Sequence, residues 1–168
     1  TPVYLFLGFL ESGKTKFIQE TLEDKRFDSG ENTLLLVTEE GEEEYDPSRF
    51  KVKRVFTEVL SGKEELTEAN LSALQQKYDA TRVLVEFNGM WMLDDFYEAM
   101  PEGWMLSQVM TFFDSATFLS YNANMRQLTY DKIQGTQMVV FNRFPDTADK
   151  MEYHKIVRGI SRRTDIVY

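Results

Sequence analysis

Residues 3–15 read Val3-Tyr4-Leu5-Phe6-Leu7-Gly8-Phe9-Leu10-Glu11-Ser12-Gly13-Lys14-Thr15. The first five are an apolar run of strand length. The next eight fit G-x-x-x-x-G-K-T, the pattern of a phosphate-binding P-loop. Each part has a physical task. Gly8 and Gly13 permit a tight turn, so that successive backbone N–H groups converge on phosphate oxygens. Lys14 offers a point charge to the β- and γ-phosphates, and the Thr15 hydroxyl suits Mg²⁺. A helical pattern over Thr15–Leu22 follows, and its positive N-terminal end faces the same anion. The strand before and the helix after separate this reading from a glycine-rich turn with an incidental lysine. Glu11 puts a carboxylate into the loop; it is expected to face solvent, because an inward carboxylate would weaken phosphate binding.

Outward from this stretch, apolar runs alternate with amphipathic ones. Thr33–Val37, Arg82–Glu86, Val109–Phe113, Met138–Phe141 and Ile166–Tyr168 read as strands, and Phe50–Phe56 alternates as an edge strand would. Helical spacing marks Leu66–Tyr78, Phe118–Ile133 and Thr147–Ser161. This rhythm predicts an α/β fold of the P-loop NTPase kind, a three-layer α/β/α sandwich with a mostly parallel central sheet. Ligands in such folds lie at the carboxyl ends of the strands. The 168 residues show no linker or internal repeat, so one domain over residues 1–168 is expected.

Composition narrows the function. There is no cysteine, which excludes a disulfide scaffold, an iron–sulfur cluster and a thiolate zinc site. Nineteen Lys and Arg against twenty-eight Asp and Glu leave a net charge of −9, so no nucleic-acid partner is expected. No apolar run approaches the roughly 18 residues needed to span a bilayer. No secretory signal opens the chain, and a cytoplasmic location without direct membrane insertion is the expectation.

The phosphate loop also carries a resemblance. Pro2–Leu22, PVYLFLGFLESGKTKFIQETL, is similar to the opening of the CobW/HypB/UreG GTPases, specifically the CobW branch, whose loop usually reads Gly-Phe-Leu-Gly-Ser-Gly-Lys-Thr. Further similarities follow in order. Thr38-Glu39-Glu40-Gly41-Glu42, with Asp46 beyond, resembles the family's Asn-Glu-Phe-Gly-Glu segment. Glu86-Phe87-Asn88-Gly89 resembles Glu-x-Ser-Gly of the Walker B region. Phe113–Phe118 resembles Val-Asp-Ala-x-x-Phe, and Asn142-Arg143 stands where the guanine-reading Asn-Lys-x-Asp belongs. Asp165–Tyr168 resembles the last strand of the G domain. The departures are equally plain. The family's Cys-x-Cys-Cys motif is absent, Lys16 stands where a second Thr often follows, and Asn88 replaces a Ser. Asp146 comes one position late, behind Pro145. The family's smaller C-terminal domain is expected to be absent or truncated.

The resemblance implies GTP as the nucleotide, with ATP less favoured, Mg²⁺ as the metal, and a nucleotide-binding set of Gly8, Glu11, Ser12, Gly13, Lys14, Thr15, Lys16, Asn142 and Arg143. Lys14, Thr15, Glu42 and Glu86 are the implied catalytic residues; Thr15, Glu42 and Glu86 are the implied metal residues. Glu86 has support from the residues themselves. It ends the run Val83-Leu84-Val85, where a carboxylate is costly to bury without a cation; the plain alternative is a strand-end acid in solvent. Glu42 lies in an acidic run, Glu39–Glu44, and such runs are usually solvated loops. Guanine reading is compromised by the late Asp146, since one residue displaces a carboxylate by about 3–4 Å. Asn142 alone also fits a turn residue.

Phe87–Tyr121 holds Trp91, Trp104 and five methionines, which suits either core filling or an adaptable partner surface after the Walker B strand. The lone His154 reads as surface decoration. Three functions follow: a Mg²⁺-dependent GTPase acting as switch or accessory factor in a metal, cofactor or transport pathway, a non-catalytic nucleotide-binding module, or a P-loop kinase. A client protein or metalloprotein and a homodimer are the expected partners of the first. A kinase would need an Arg-rich lid, and Arg158, Arg162 and Arg163 form the one basic cluster.

Overall fold

The computed structural model describes residues 1–146 and 148–168. The apolar runs pair into one sheet of seven strands: β1 (Pro2–Gly8), β2 (Thr33–Val37), β3 (Val55–Val59), β4 (Arg82–Glu86), β5 (Met105–Asp114), β6 (Met138–Asn142) and β7 (Asp165–Val167). Their order is β3-β2-β4-β1-β5-β6-β7, and every pairing is parallel. Every residue of β2 and β4 is buried, as expected for inner strands covered on both faces. The helices are α1 (Lys14–Leu22), α2 (Glu68–Tyr78), α3 (Leu93–Ala99), α4 (Ser115–Asn124), α5 (Arg126–Gln134) and α6 (Lys150–Ile160).

Period-two alternation builds the layers. Phe6, Leu35, Leu84 and Phe112 point to one face and pack with Ile18 and Leu22 of α1. Leu5, Leu34, Val83 and Val109 point to the other face, against Leu71 of α2 and Phe96 of α3. Phe113, Val139 and Phe141 continue that second face, and Phe118, Ile133 and Tyr153 bring α4, α5 and α6 onto it. The result is the expected three-layer α/β/α sandwich.

Three local expectations shift. The edge strand lies at Val55–Val59 rather than Phe50–Phe56. Backbone N–H groups of Lys51 and Val52 both bond the Leu22 carbonyl, at 2.8 and 3.0 Å, which ties this stretch to the end of α1. Arg54 then turns the chain at φ 58°. The long helix over Phe118–Ile133 is two helices, broken at Met125 (φ −130°, ψ 52°). The first starts early because the Asp114 carboxylate accepts the Ala116 N–H at 2.9 Å and caps it. The short α3 arises in the methionine-rich stretch, where Asp95 accepts the Met92 N–H. The Thr147 start of the last predicted helix lies outside the described residues, and α6 runs from Lys150.

The register sets the carboxyl edge of the sheet. Phe6 and Val37 flank Glu86, Gly8 lies beside Phe112, and Asp114 lies beside Asn142. The strand ends of β1, β4, β5 and β6 therefore deliver Gly8, Glu86, Asp114 and Asn142 to one rim. Among the described residues no helix is long and apolar enough to cross a membrane.

Candidate nucleotide site

The loop between β1 and α1 is folded around Lys14. Its ammonium is 3 % exposed and donates to the carbonyls of Gly8 at 2.5 Å and Phe87 at 3.0 Å. It also pairs with Glu39 at 2.5 Å. Burial lowers the Lys14 pKa, and the Glu39, Glu86 and Glu11 carboxylates oppose that shift. Gly13 caps α1 at φ 102°, and a Cβ there would stand 2.2 Å from Asn142 Nδ2. Both the positive φ and the close approach require glycine. Asn142 Nδ2 donates to the Ser12 carbonyl at 2.7 Å, so the β6 end braces the loop.

Thr15 and Glu86 meet. The Thr15 hydroxyl donates to Glu86 Oε1 at 2.6 Å, and the Tyr45 hydroxyl donates to the same oxygen at 2.8 Å. Glu86 is 3 % exposed, and burial raises its pKa against the pull of these two hydroxyls. Burial and the neighbouring Glu86 both raise the Tyr45 pKa, which keeps it a neutral donor.

The remaining expected residues are distributed as follows. Glu11 is exposed and adopts φ 60°; its carboxylate lies against the acidic segment over the loop and accepts the Glu42 backbone N–H at 2.8 Å. Ser12 is buried, and among the described residues its hydroxyl has no hydrogen-bond partner. Lys16 is exposed on α1 and lines a groove of about 270 Å³ with Gly13, Phe17, Asn142 and Arg143. Arg143 donates to the Glu11 carbonyl and to Asp114 Oδ2, each at 2.9 Å. Glu42 is exposed, and among the described residues its carboxylate makes no hydrogen bond to Thr15 or Lys14. Glu39, from the same acidic run, takes the place at Lys14. Asp146 is exposed, and His154 lies exposed on α6.

Four residues were given no site role by the sequence reading, although three of them lie in the segments that resemble the family's motifs: Thr38, Glu39, Tyr45 and Gly89. Thr38 Oγ1 donates to the Glu86 carbonyl at 2.9 Å and accepts the Asn88 N–H at 2.8 Å, lacing β2 to the end of β4. A Cβ on Gly89 would stand 2.6 Å from the Gly8 carbonyl oxygen, so only glycine lets this segment lie on the phosphate loop. Glu39 did carry two signals, its place in the stretch that resembles Asn-Glu-Phe-Gly-Glu and its position two residues beyond the buried run Thr33–Val37, but the glutamates around it hid which one meets Lys14.

The parts fit the groups that the fold calls for. A strand, a tight glycine loop and a helix N-terminus form an anion cradle. The buried Ser12 hydroxyl is left unpaired inside that loop. A hydroxyl and a carboxylate at hydrogen-bond distance, Thr15 and Glu86, are the hard oxygens that Mg²⁺ prefers. Among the described residues no group of three or more His, Cys, Asp and Glu forms a metal cluster, so protein side chains alone do not complete a site.

Solved structures share the fold. The Zn(II)-bound YjiA GTPase from E. coli superposes with a TM-score of 0.65 at 16 % identity, over 99 % of this chain and 57 % of that one. Hydrogenase maturation factor HypB from Archaeoglobus fulgidus gives 0.56 at 13 % identity, over 97 % and 79 %. The chain thus spans little more than half the length of YjiA. No curated protein matches significantly. Residues 2–167, however, match the description CobW/HypB/UreG, nucleotide-binding domain, over nearly the whole sequence; the chain belongs to this family and is its nucleotide-binding domain.

Proposed function

We propose that this domain binds GTP with Mg²⁺ and hydrolyses it slowly, acting as a switch or accessory factor in a metal, cofactor or transport pathway. The observation that carries the reading is the convergence of Lys14, Thr15 and Glu86 at the mouth of the phosphate loop. Lys14 would bind the β- and γ-phosphates, and its low-dielectric setting strengthens that attraction. Thr15 and Glu86 would hold Mg²⁺, directly or through water; the ion, when bound, neutralises charge on the phosphate oxygens. The 270 Å³ groove beside Asn142 offers room for the nucleoside. Asn142 keeps its Oδ1 for the base while its Nδ2 braces the loop. Glu42 retains a proposed role in orienting water. ATP is the weaker alternative, kept open by the late position of Asp146, which compromises guanine reading. A client protein or metalloprotein and a homodimer are proposed partners.

A non-catalytic binding module is the second reading, and the engagement of Arg143 by Asp114 favours it, since that guanidinium is not free to act as a finger. The kinase reading loses its lid. Arg158 donates to the Thr164 carbonyl at 2.6 Å, beside the start of β7 and at the opposite end of the sheet.

Titration with GTP, GDP, ATP and ADP, with and without Mg²⁺, tests the proposal. Lys14→Ala should weaken phosphate binding by about 2–5 kcal/mol, roughly 30-fold or more. Equal affinity in this variant would sink nucleotide binding through the loop. Multiple-turnover phosphate release separates hydrolysis from binding alone.

A further inference from the structure

Glu39 occupies a place that calls for an explanation beyond ion pairing. One carboxylate oxygen lies 2.5 Å from Lys14 Nζ, and the other accepts the Gly89 N–H at 3.1 Å. The side chain is only 10 % exposed. It is also fixed from behind. The Thr38 N–H and hydroxyl both donate to the Glu86 carbonyl, and Asn88 Nδ2 donates to the Thr38 carbonyl. A carboxylate held between the P-loop lysine and a backbone N–H just after β4 has the donors that a terminal phosphate would take: one cation and one amide on opposite sides of an oxyanion.

The segment that follows is fastened over the same loop. Glu11 accepts the Glu42 N–H, Tyr45 donates to Glu86, and Gln19 exchanges two hydrogen bonds with the Asp46 backbone, at 3.1 and 3.0 Å. The space left between Ser12, Lys14, Thr15, Glu39, Gly41 and Glu86 is about 30 Å³. That leaves no room for a third phosphate beside Lys14 while Glu39 stays in place.

We propose that Glu39 sets selectivity for phosphate number: it is an internal anion that a nucleoside triphosphate must displace from Lys14 and Gly89 and that a diphosphate largely leaves in position. The proposal rests on the nucleotide-binding reading above and deepens it. A diphosphate is held chiefly by the loop amides and the helix N-terminus, with its β-phosphate beside Lys14. The third phosphate reaches for Lys14 and the Gly89 N–H, the two donors that Glu39 already holds. Eviction of Glu39 then loosens residues 39–46, so the state of the acidic segment follows the number of phosphates bound.

The experiment compares GTP and GDP dissociation constants, with Mg²⁺, in the parent, Glu39→Gln and Glu40→Gln. Glu40 is exposed in the same run and makes no bond to Lys14, so its variant removes the same charge without touching the cradle. Glu39→Gln keeps the shape of the side chain, and circular dichroism checks its fold. The expected result is a GTP-over-GDP preference raised about tenfold or more in Glu39→Gln, the scale of one charged hydrogen bond, and an unchanged preference in Glu40→Gln. An unchanged ratio in Glu39→Gln, an equal rise in Glu40→Gln, or weaker GTP binding in Glu39→Gln overturns the proposal while leaving nucleotide binding intact. If parent and variants bind neither nucleotide, the underlying reading falls with it.

Discussion

Lys132 is fully buried beside an equally enclosed Asp131, and replacing it should be among the most damaging single changes in the protein. Its side chain is 0 % exposed and that of Asp131 is 6 %. The ammonium donates to the Trp91 carbonyl at 2.6 Å and to Asp131 Oδ2 at 3.1 Å. The same carboxylate oxygen accepts the Leu93 N–H at 2.9 Å. The pair therefore ties α5 to the segment that links β4 and α3, which also carries Gly89. Lys132→Met leaves a carboxylate buried with one amide donor. Breaking one side of such a pair costs about 3–5 kcal/mol, because the remaining charge is desolvated without compensation. At about 2–4 °C per kcal/mol for a chain of this size, the midpoint should fall by roughly 10 °C. Removing both charges should restore most of the loss. Asp131→Asn keeps an oxygen for the Leu93 N–H, and the double variant should lie within about 1–2 kcal/mol of the parent.

Urea unfolding with linear extrapolation reads all four proteins. Burial lowers the Lys132 pKa below 10.5, so the unfolded chain binds the extra proton. The parent therefore gains stability as pH rises from the lowered value towards 10.5, and the Lys132→Met variant lacks that gain. A Lys132→Met protein within about 1 kcal/mol of the parent would refute the reasoning, given the range expected for a broken buried pair. So would a double variant that simply adds the two single losses.

Two further outcomes follow from the site. Glu86→Gln should raise stability at neutral pH while weakening Mg²⁺-dependent nucleotide binding. The folded pKa of Glu86 lies above 4.5 through burial, so its contribution is present below pH 4.5 and is lost as pH rises through the folded value; thermal melts at pH 4 and pH 7 with both proteins check the sign, and a variant less stable at pH 7 would contradict it. Gly13→Ala should lose nucleotide binding and about 1–3 kcal/mol of stability, from the positive φ and from a Cβ 2.2 Å from Asn142 Nδ2; calorimetric titration showing parental affinity would count against the described loop.

Legibility in the sequence followed the range of the interaction. Arg82–Glu86 and Thr33–Val37 were readable to the residue, because a fully buried parallel strand must be a continuous apolar run. The phosphate loop was readable because its glycines answer to local backbone geometry. The break at Met125 was not, since nothing in that residue type forbids a helix and the tertiary setting decides. The edge strand was misplaced because Val52 is buried under α1, a packing contact that period-two alternation imitates. In the site, Glu86 announced itself as a carboxylate at the end of an apolar run. Glu39 did not, because five glutamates lie within six residues and only the three-dimensional path of the segment selects the one that meets Lys14.

Glu11 shows how a departure from a family pattern acquires meaning only in the fold. The resemblance puts glycine at this position, and the backbone agrees, since φ is 60°. A side chain in that conformation costs about 1–2 kcal/mol. Its carboxylate gains one exposed hydrogen bond, from the Glu42 N–H, worth about 0.5–1.5 kcal/mol. The two nearly cancel, so stability alone gives no reason for a glutamate here. Position does. The bond fastens Glu42 to the loop three residues beyond Glu39, and Gly41 lies so close that a Cβ on it would stand 2.4 Å from Glu11 Oε1. Glu11 thereby helps to hold the acidic segment where Glu39 meets Lys14. A residue that in sequence looks like an obstacle to phosphate acts instead on the element that phosphate must move.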